Sequence, residues 1–301
     1  MDAGDWALLH RQGQRALSEG DYTTAAATLQ KAMDAAENFP DTDGRKVAVA
    51  INLALSYKKL HHFEDAARYY QRGVDLARKD PNASPLNVAI ILDNFGNLYD
   101  EQKKFAKAEP YHRQALAQFE KALPADDLDV IKCRANLAQA VEFTGKPEEA
   151  AGLYRQCIAA LEKKGGDAEA DLAITLDNYA GLLLRDKKPG EALAVRQRAL
   201  ELFQKTLGAD HPEVGICLEN LGQTYLALNK PDAAEPLLRR ALQIGTSTFG
   251  EDSPALVTTL DALSSALEKL GKEEESTELA ARAMKIRNHA GVQQPAAVTR
   301  P

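Results

Sequence analysis

Small, large and polar residues return every 42 positions along most of this 301-residue chain. Asn94-Phe95-Gly96-x-x-Tyr99 and Asn220-Leu221-Gly222-x-x-Tyr225 stand three such periods apart, and Asn136-Leu137-Ala138 and Asn178-Tyr179-Ala180 fill the registers between them. Asn52-Leu53-Ala54-x-x-Tyr57 lies one period upstream of Asn94. Ala262-Leu263-Ser264 and Arg11-Gln12-Gly13 extend the pattern without the Asn, the latter with a spacing one residue shorter. Self-similarity at a fixed period signals a repeat architecture. The register predicts seven repeats within residues 1–288, starting near residues 6, 47, 89, 131, 173, 215 and 257, followed by a disordered tail over 289–301.

Each repeat reads as two amphipathic helices joined by a tight turn. In the sixth, Ile216, Leu218, Leu221, Tyr225 and Leu228 recur at helical spacing, as do Ala234, Leu237, Leu238, Ala241 and Leu242 after Asn229-Lys230-Pro231. Similar breaks fall at Glu19-Gly20-Asp21, Gly145-Lys146-Pro147, Lys188-Pro189-Gly190 and Gly271-Lys272. Ser253 before Pro254 reads as an N-cap, with Asp43 and Asp127 in the same register. Three columns hold only small residues: Gly13 to Ser264 in the first helices, and Ala25 to Ser276 and Ala32 to Ala283 in the second. Small side chains at each crossing let helix backbones approach closely.

Composition agrees. Ala supplies 51 residues and Leu 39, whereas Val and Ile together supply only 20. That bias favours helices and leaves too few β-branched side chains for a sandwich, barrel or parallel sheet. The net charge of -7 disfavours nucleic acid, since phosphate binding needs excess Lys and Arg. No apolar run approaches the ~20 residues that span a bilayer. Three cysteines without CxxC spacing form neither a disulfide framework nor a zinc motif.

These columns resemble the tetratricopeptide repeat. The 42-residue period, the connector Leu207-Gly208-x-Asp210-His211-Pro212-x-Val214 and the second-helix segment Ala234-Glu235-Pro236-Leu237-Leu238-x-Arg240-Ala241-Leu242 are similar to the kinesin light chain type. The resemblance implies an all-α fold, a right-handed α-solenoid of seven helix-turn-helix repeats whose first helices line a concave face. Solenoids offer such faces to extended partners.

The Asn column (Asn52, Asn94, Asn136, Asn178 and Asn220) is the sharpest candidate for function. An Asn amide both donates and accepts, which matches the backbone of an extended peptide. One turn on, Asn97, Gln139 and Gln223 extend the polar floor, with Lys58, Phe143 and Arg185 nearby as selectivity residues. The acids Asp93, Asp100, Glu101, Glu142, Asp177, Glu219 and Asp261 outnumber nearby cations and favour a somewhat basic ligand. No catalytic motif, cofactor site or metal site is expected. His61-His62 falls in a turn, His211 reads as a helix cap, and Cys133 and Cys217 read as small buried hydrophobes on an apolar side. The expected function is a non-enzymatic scaffold binding an extended peptide or disordered segment. Self-association through solenoid ends, where Leu279 and Met284 would be partly uncovered, and a regulatory arm of a larger system are the alternatives. Absent targeting signals place the chain in the cytoplasm by default, with an exported chain lacking its signal as the alternative.

Overall fold

A computed structural model describes residues 3–291. Fourteen α-helices occur among them, paired in chain order. They are α1 (Ala3–Ser18), α2 (Tyr22–Ala35), α3 (Gly44–Lys59), α4 (Phe63–Lys79), α5 (Pro85–Glu101), α6 (Phe105–Ala122), α7 (Leu128–Phe143), α8 (Pro147–Lys164), α9 (Glu169–Arg185), α10 (Pro189–Leu207), α11 (Pro212–Ala227), α12 (Pro231–Phe249), α13 (Val257–Lys269) and α14 (Glu273–Ala290). Short 3₁₀ turns precede α9 and α13, and the described residues contain no strand. The fold is an α-solenoid of seven helix-turn-helix repeats. Its helices group into two compact units, 1–153 and 154–301, each with its own packing.

The turn inside every repeat has one conformation. Gly20, His61, Lys103, Gly145, Lys187, Asn229 and Gly271 all have positive φ and all occupy the same register. A left-handed residue here turns the chain back immediately after the first helix. The preceding residue already caps that helix through its backbone N–H, as Leu60 does to Ser56 and Leu228 to Thr224. Between repeats, side chains start the next helix: Asp43 accepts from Arg45 N–H at 2.9 Å, Asp127 from Asp129 N–H at 2.9 Å and Ser253 from Ala255 N–H at 3.3 Å. His211 caps α11 by accepting from Glu213 N–H through Nδ1 at 3.2 Å. These caps lie three to four residues ahead of the apolar periodicity, so most first helices begin earlier than that periodicity indicates.

Every residue of the three small columns is buried except Ser264, which is half-buried. A charged staple recurs on the second helices. Glu109 accepts from Arg113 (2.6 Å) and Lys146 (2.6 Å), and Arg113 also pairs with Glu149 (2.8 Å). Three periods on, Glu235, Arg239, Lys272 and Glu275 repeat it at 2.6–2.8 Å. Burial alone would raise the Glu109 carboxyl, but Lys146, Arg113 and Thr144 hold it down to about 2. At the C-terminal end α14 runs to a left-handed cap at Gly291. Residues 292–301 of the expected tail lie outside the described residues.

Candidate functional site

The Asn column sits on the first helices, half-buried at every position. Its five amides are not equivalent. Asn52 Nδ2 lies 3.1 Å from His10 Nε2. Asn136 Nδ2 donates to Asn97 Oδ1 at 3.1 Å and approaches both Asp93 oxygens at 3.4 Å. Asn220 Nδ2 donates to Asp177 Oδ2 at 2.8 Å. The side chains of Asn94 and Asn178 make no hydrogen bond among the described residues.

The alternation follows from the residue just before each Asn. That column reads His10, Ile51, Asp93, Ala135, Asp177, Glu219 and Asp261. An Asn is engaged when the preceding repeat offers a polar side chain there, and left unengaged when it offers Ile51 or Ala135. The next positions behave similarly. Asn97 donates to Asp93 at 3.2 Å and Gln223 to Glu219 at 3.1 Å, whereas the Gln139 side chain makes no hydrogen bond among the described residues.

Beneath the row lie two buried cations, 84 residues (two periods) apart. His112 of α6 is fully enclosed, with Nδ1 2.8 Å from Asp93 and Nε2 2.7 Å from Asp100. Burial alone would lower its pKa, but Asp100 and Asp93 hold the imidazole up at about 9. Arg196 of α10 takes the same place in the second unit, donating to Asp177 (2.9 Å), the Asn220 carbonyl (2.9 Å) and Thr224 (2.6 Å). Each is accompanied by a buried cysteine. Cys133 Sγ lies 3.6 Å from the His112 carbonyl, and Cys217 Sγ lies 3.9 Å from that of Arg196. The cysteines are buried as expected, but they abut charge rather than a purely apolar side, and burial pushes both thiols up. Donor atoms of Asp93, His112 and Cys133 lie within 4.8 Å of one another. Both imidazole nitrogens already face carboxylates, and a guanidinium, which cannot ligate a metal, fills the equivalent position. The arrangement is that of a buried cation.

Four acids of the floor are therefore answered within the chain: Asp93 and Asp100 by His112, Asp177 by Arg196, and Asp261 by Arg287. Lys58 pairs with Glu101 at 3.2 Å. Helical spacing grouped Ile216 with Leu218 and Leu221, yet Ile216 is 49% exposed, and Ile90 and Ile174 are exposed in the same way at 41% and 48%. Each stands one turn before an Asn of the column, so the two share a helix face. Ile90 also lines a shallow cavity of about 260 Å³ with Val47, Ile51 and Ala77. A second cavity, of about 350 Å³, includes Gln14, Tyr22, Asn52 and Lys59. Phe143 is exposed on the same face of α7 and stacks on Phe105 at 4.3 Å.

The tetratricopeptide repeat family profile matches residues 7–79, 87–163, 171–247 and 232–289. The chain belongs to the tetratricopeptide repeat family. Its 42-residue period resembles that of the kinesin light chain type. No curated protein sequence matches it. Among solved structures it is similar to BtubC (BKLC) from P. vanneervenii at 23% identity, covering 79% of this chain and 96% of that one with a TM-score of 0.64. The apo form of RapI superposes with a TM-score of 0.74 at 11% identity, covering 96% and 99% of the two chains. NprR in complex with its cognate peptide NprX gives 0.61 at 15% identity, covering 100% and 85%. At these identities the likeness is one of fold. Among the described residues of this tetratricopeptide array, no helix is long and apolar enough to cross a membrane.

Proposed function

We propose that this chain is a non-enzymatic interaction scaffold whose first helices bind an extended peptide or disordered protein segment. The observation that carries the reading is the pair of unengaged amides, Asn94 in one unit and Asn178 in the other, each one turn after an exposed isoleucine. Neither amide is shut away from solvent, so a ligand backbone can take the place of water there. An extended backbone supplies both a carbonyl and an N–H, and the isoleucine beside it accepts an apolar side chain. In each unit the proposed contact surface is thus an amide for the main chain and an aliphatic patch for specificity. Asn52, Asn136 and Asn220 reach the ligand through their remaining carbonyl oxygens, with Asn97, Gln139, Gln223 and Arg185 around them. The NprR structure, determined with a bound peptide, supports the reading by analogy of fold. Because most acids of the floor are already paired, selectivity is assigned to these amides and isoleucines rather than to a basic ligand.

The test is capture from an unbiased peptide display library on the intact chain, followed by affinity measurement. Replacing Asn94 and Asn178 together by Ala should weaken the captured peptides at least about tenfold, since each lost hydrogen bond contributes ~1 kcal/mol. The paired change Asn136→Ala with Asn220→Ala should instead lower stability, because it removes bonds internal to the chain. Unchanged affinity in the Asn94/Asn178 variant would sink the reading. The alternative, self-association, has one supporting observation: Met284 on α14 is 50% exposed, although Leu279 packs into the last repeat's core. Light scattering that finds a concentration-independent monomer removes it.

A further inference from the structure

Two cavities open at the same place in the repeat. Gly44, Val47, Ile51 and Ala77 line the larger, in the first unit. The residues 168 positions on (four periods), Pro212, Gly215, Glu219 and Gly245, line a smaller one of about 40 Å³ in the second. The second-helix column that runs through Ala77 and Gly245 accounts for both. In the repeats between them it holds Phe119, Leu161 and Phe203, all buried. A bulky side chain fills the position there, whereas Ala77 and Gly245 leave space.

The two linings differ at one telling position. Where the larger cavity has Ile51, the smaller has the carboxylate of Glu219, half-buried on α11. Glu219 Oε1 accepts from Gln223 at 3.1 Å and Oε2 accepts from the Thr259 hydroxyl, and both donors are neutral. A carboxylate has about four lone-pair sites, so two acceptor directions remain. Asp93, Asp177 and Asp261 hold this register in other repeats, and each pairs with a cation of the chain. Glu219 pairs with none among the described residues. Burial pushes its carboxyl up, and the Thr259 hydrogen bond alone draws it down. Ile216 and Phe249 also line the cavity and are 49% and 51% exposed, so they form its solvent edge.

We propose that this cavity is a lysine pocket, in which the ammonium of a lysine on the ligand meets the Glu219 carboxylate while its methylene stem lies along Ile216 and Phe249. Lysine stems bury along apolar surface when the charged head keeps polar company. The ammonium carries three N–H donors for the acceptor directions that Gln223 and Thr259 leave free. Its bond to a carboxylate is charge-assisted, and here that carboxylate is already partly stripped of water. An ammonium is about the size of a water molecule, which needs roughly 10–15 Å³ of such space. The cavity therefore admits the head and the start of the stem, whereas the planar fork of a guanidinium is wider. Ile51 stands at this register in the other cavity, so the selection belongs to the second unit. One cation is thus placed at one ligand position, on a floor whose other acids are mostly paired. That the lysine belongs to a peptide rests on the function proposed above; the ammonium site does not.

Two measurements separate these claims. The intact chain, ¹³C-labelled at isoleucine methyls and glutamate carboxyls, is titrated with n-butylammonium chloride, with n-butanol and sodium chloride as controls at equal ionic strength. The amine should shift the Ile216 methyl and Glu219 carboxyl signals saturably. Glu219→Gln keeps the size of the side chain and an acceptor for Thr259, and should weaken the Ile216 response at least about fivefold. An Ile216 response as large for butanol, or unchanged in Glu219→Gln, overturns the site. Captured peptides are then remade with each lysine replaced in turn by norleucine or arginine. At one lysine, norleucine should weaken binding to the native chain about tenfold and to Glu219→Gln less than about twofold. Arginine at that position should bind less well than lysine. Captured peptides with no lysine that behaves in this way overturn the proposal, as does a preference for arginine. If n-butylammonium binds at Glu219 and no peptide is captured, the ammonium site stands and the peptide reading falls.

Discussion

Replacing His112 by leucine, the residue that fills its column at Leu29 and Leu238, should destabilise the chain by about 3–5 kcal/mol. Leucine suits the space but leaves two carboxylates without their cation. Asp93 keeps contacts with Asn97 and Asn136. Asp100 keeps little, because its second oxygen is buried without a partner among the described residues. The same logic gives a pH dependence for the native chain. The folded-state pKa of His112, about 9, lies above its ordinary 6.5. The folded state therefore binds the proton more tightly than the unfolded chain does. The stabilisation is fully present below about pH 6.5 and is lost as pH rises through about 9, a change on the order of 3 kcal/mol. Urea unfolding of both proteins between pH 6 and 10 measures this. A His112→Leu chain as stable as the native one at pH 7, with both curves flat to pH 10, would show that the buried imidazole is not a cation.

Two glycines should respond with opposite sign to the same change. A methyl group on Gly222 would sit 2.6 Å from Leu238 Cγ and 2.7 Å from its Cδ2, and Leu238 is fully buried. Overpacking there costs about 1–3 kcal/mol, which outweighs the ~1 kcal/mol that alanine gains over glycine in a helix. Gly222→Ala should lower the thermal midpoint. Gly181→Ala meets only side-chain ends at ordinary contact distance, Arg185 at 3.4 Å and Arg196 at 3.8 Å, so the helix preference should prevail and the midpoint should rise. Equal shifts for both would mean that close helix approach is not what keeps Gly222 small.

The architecture was legible because it is periodic. The turn register, the small columns and the caps Asp43, Asp127, Ser253 and His211 each follow from local chemistry repeated every 42 residues. What the single-repeat pattern hid has a longer period. Whether an Asn amide is engaged depends on the residue before the Asn of the previous repeat, so Asn94 and Asn178 differ from Asn136 and Asn220 only through Ile51 and Ala135 as against Asp93 and Asp177. The buried cations were hidden for a related reason, since His112 and Arg196 stand in a column otherwise held by Leu29, Tyr70, Tyr154, Leu238 and Ala280. Helical spacing placed Ile216 in the core with Leu218 and Leu221, yet it is 49% exposed. Apolar periodicity does not distinguish a side chain facing the next helix from one facing a ligand. The alignment of residues 84 apart was the available signal.

The central claim is that a ligand's main chain meets the unengaged amides of the first helices. A crystal structure of the intact chain with the tightest captured peptide tests it most directly. The account predicts an extended peptide with a backbone carbonyl or N–H within hydrogen-bond distance of the Asn94 or Asn178 amide, ~3 Å, and an apolar side chain on Ile90 or Ile174. A peptide bound on the second helices or at a solenoid end, with both amides untouched, would contradict it.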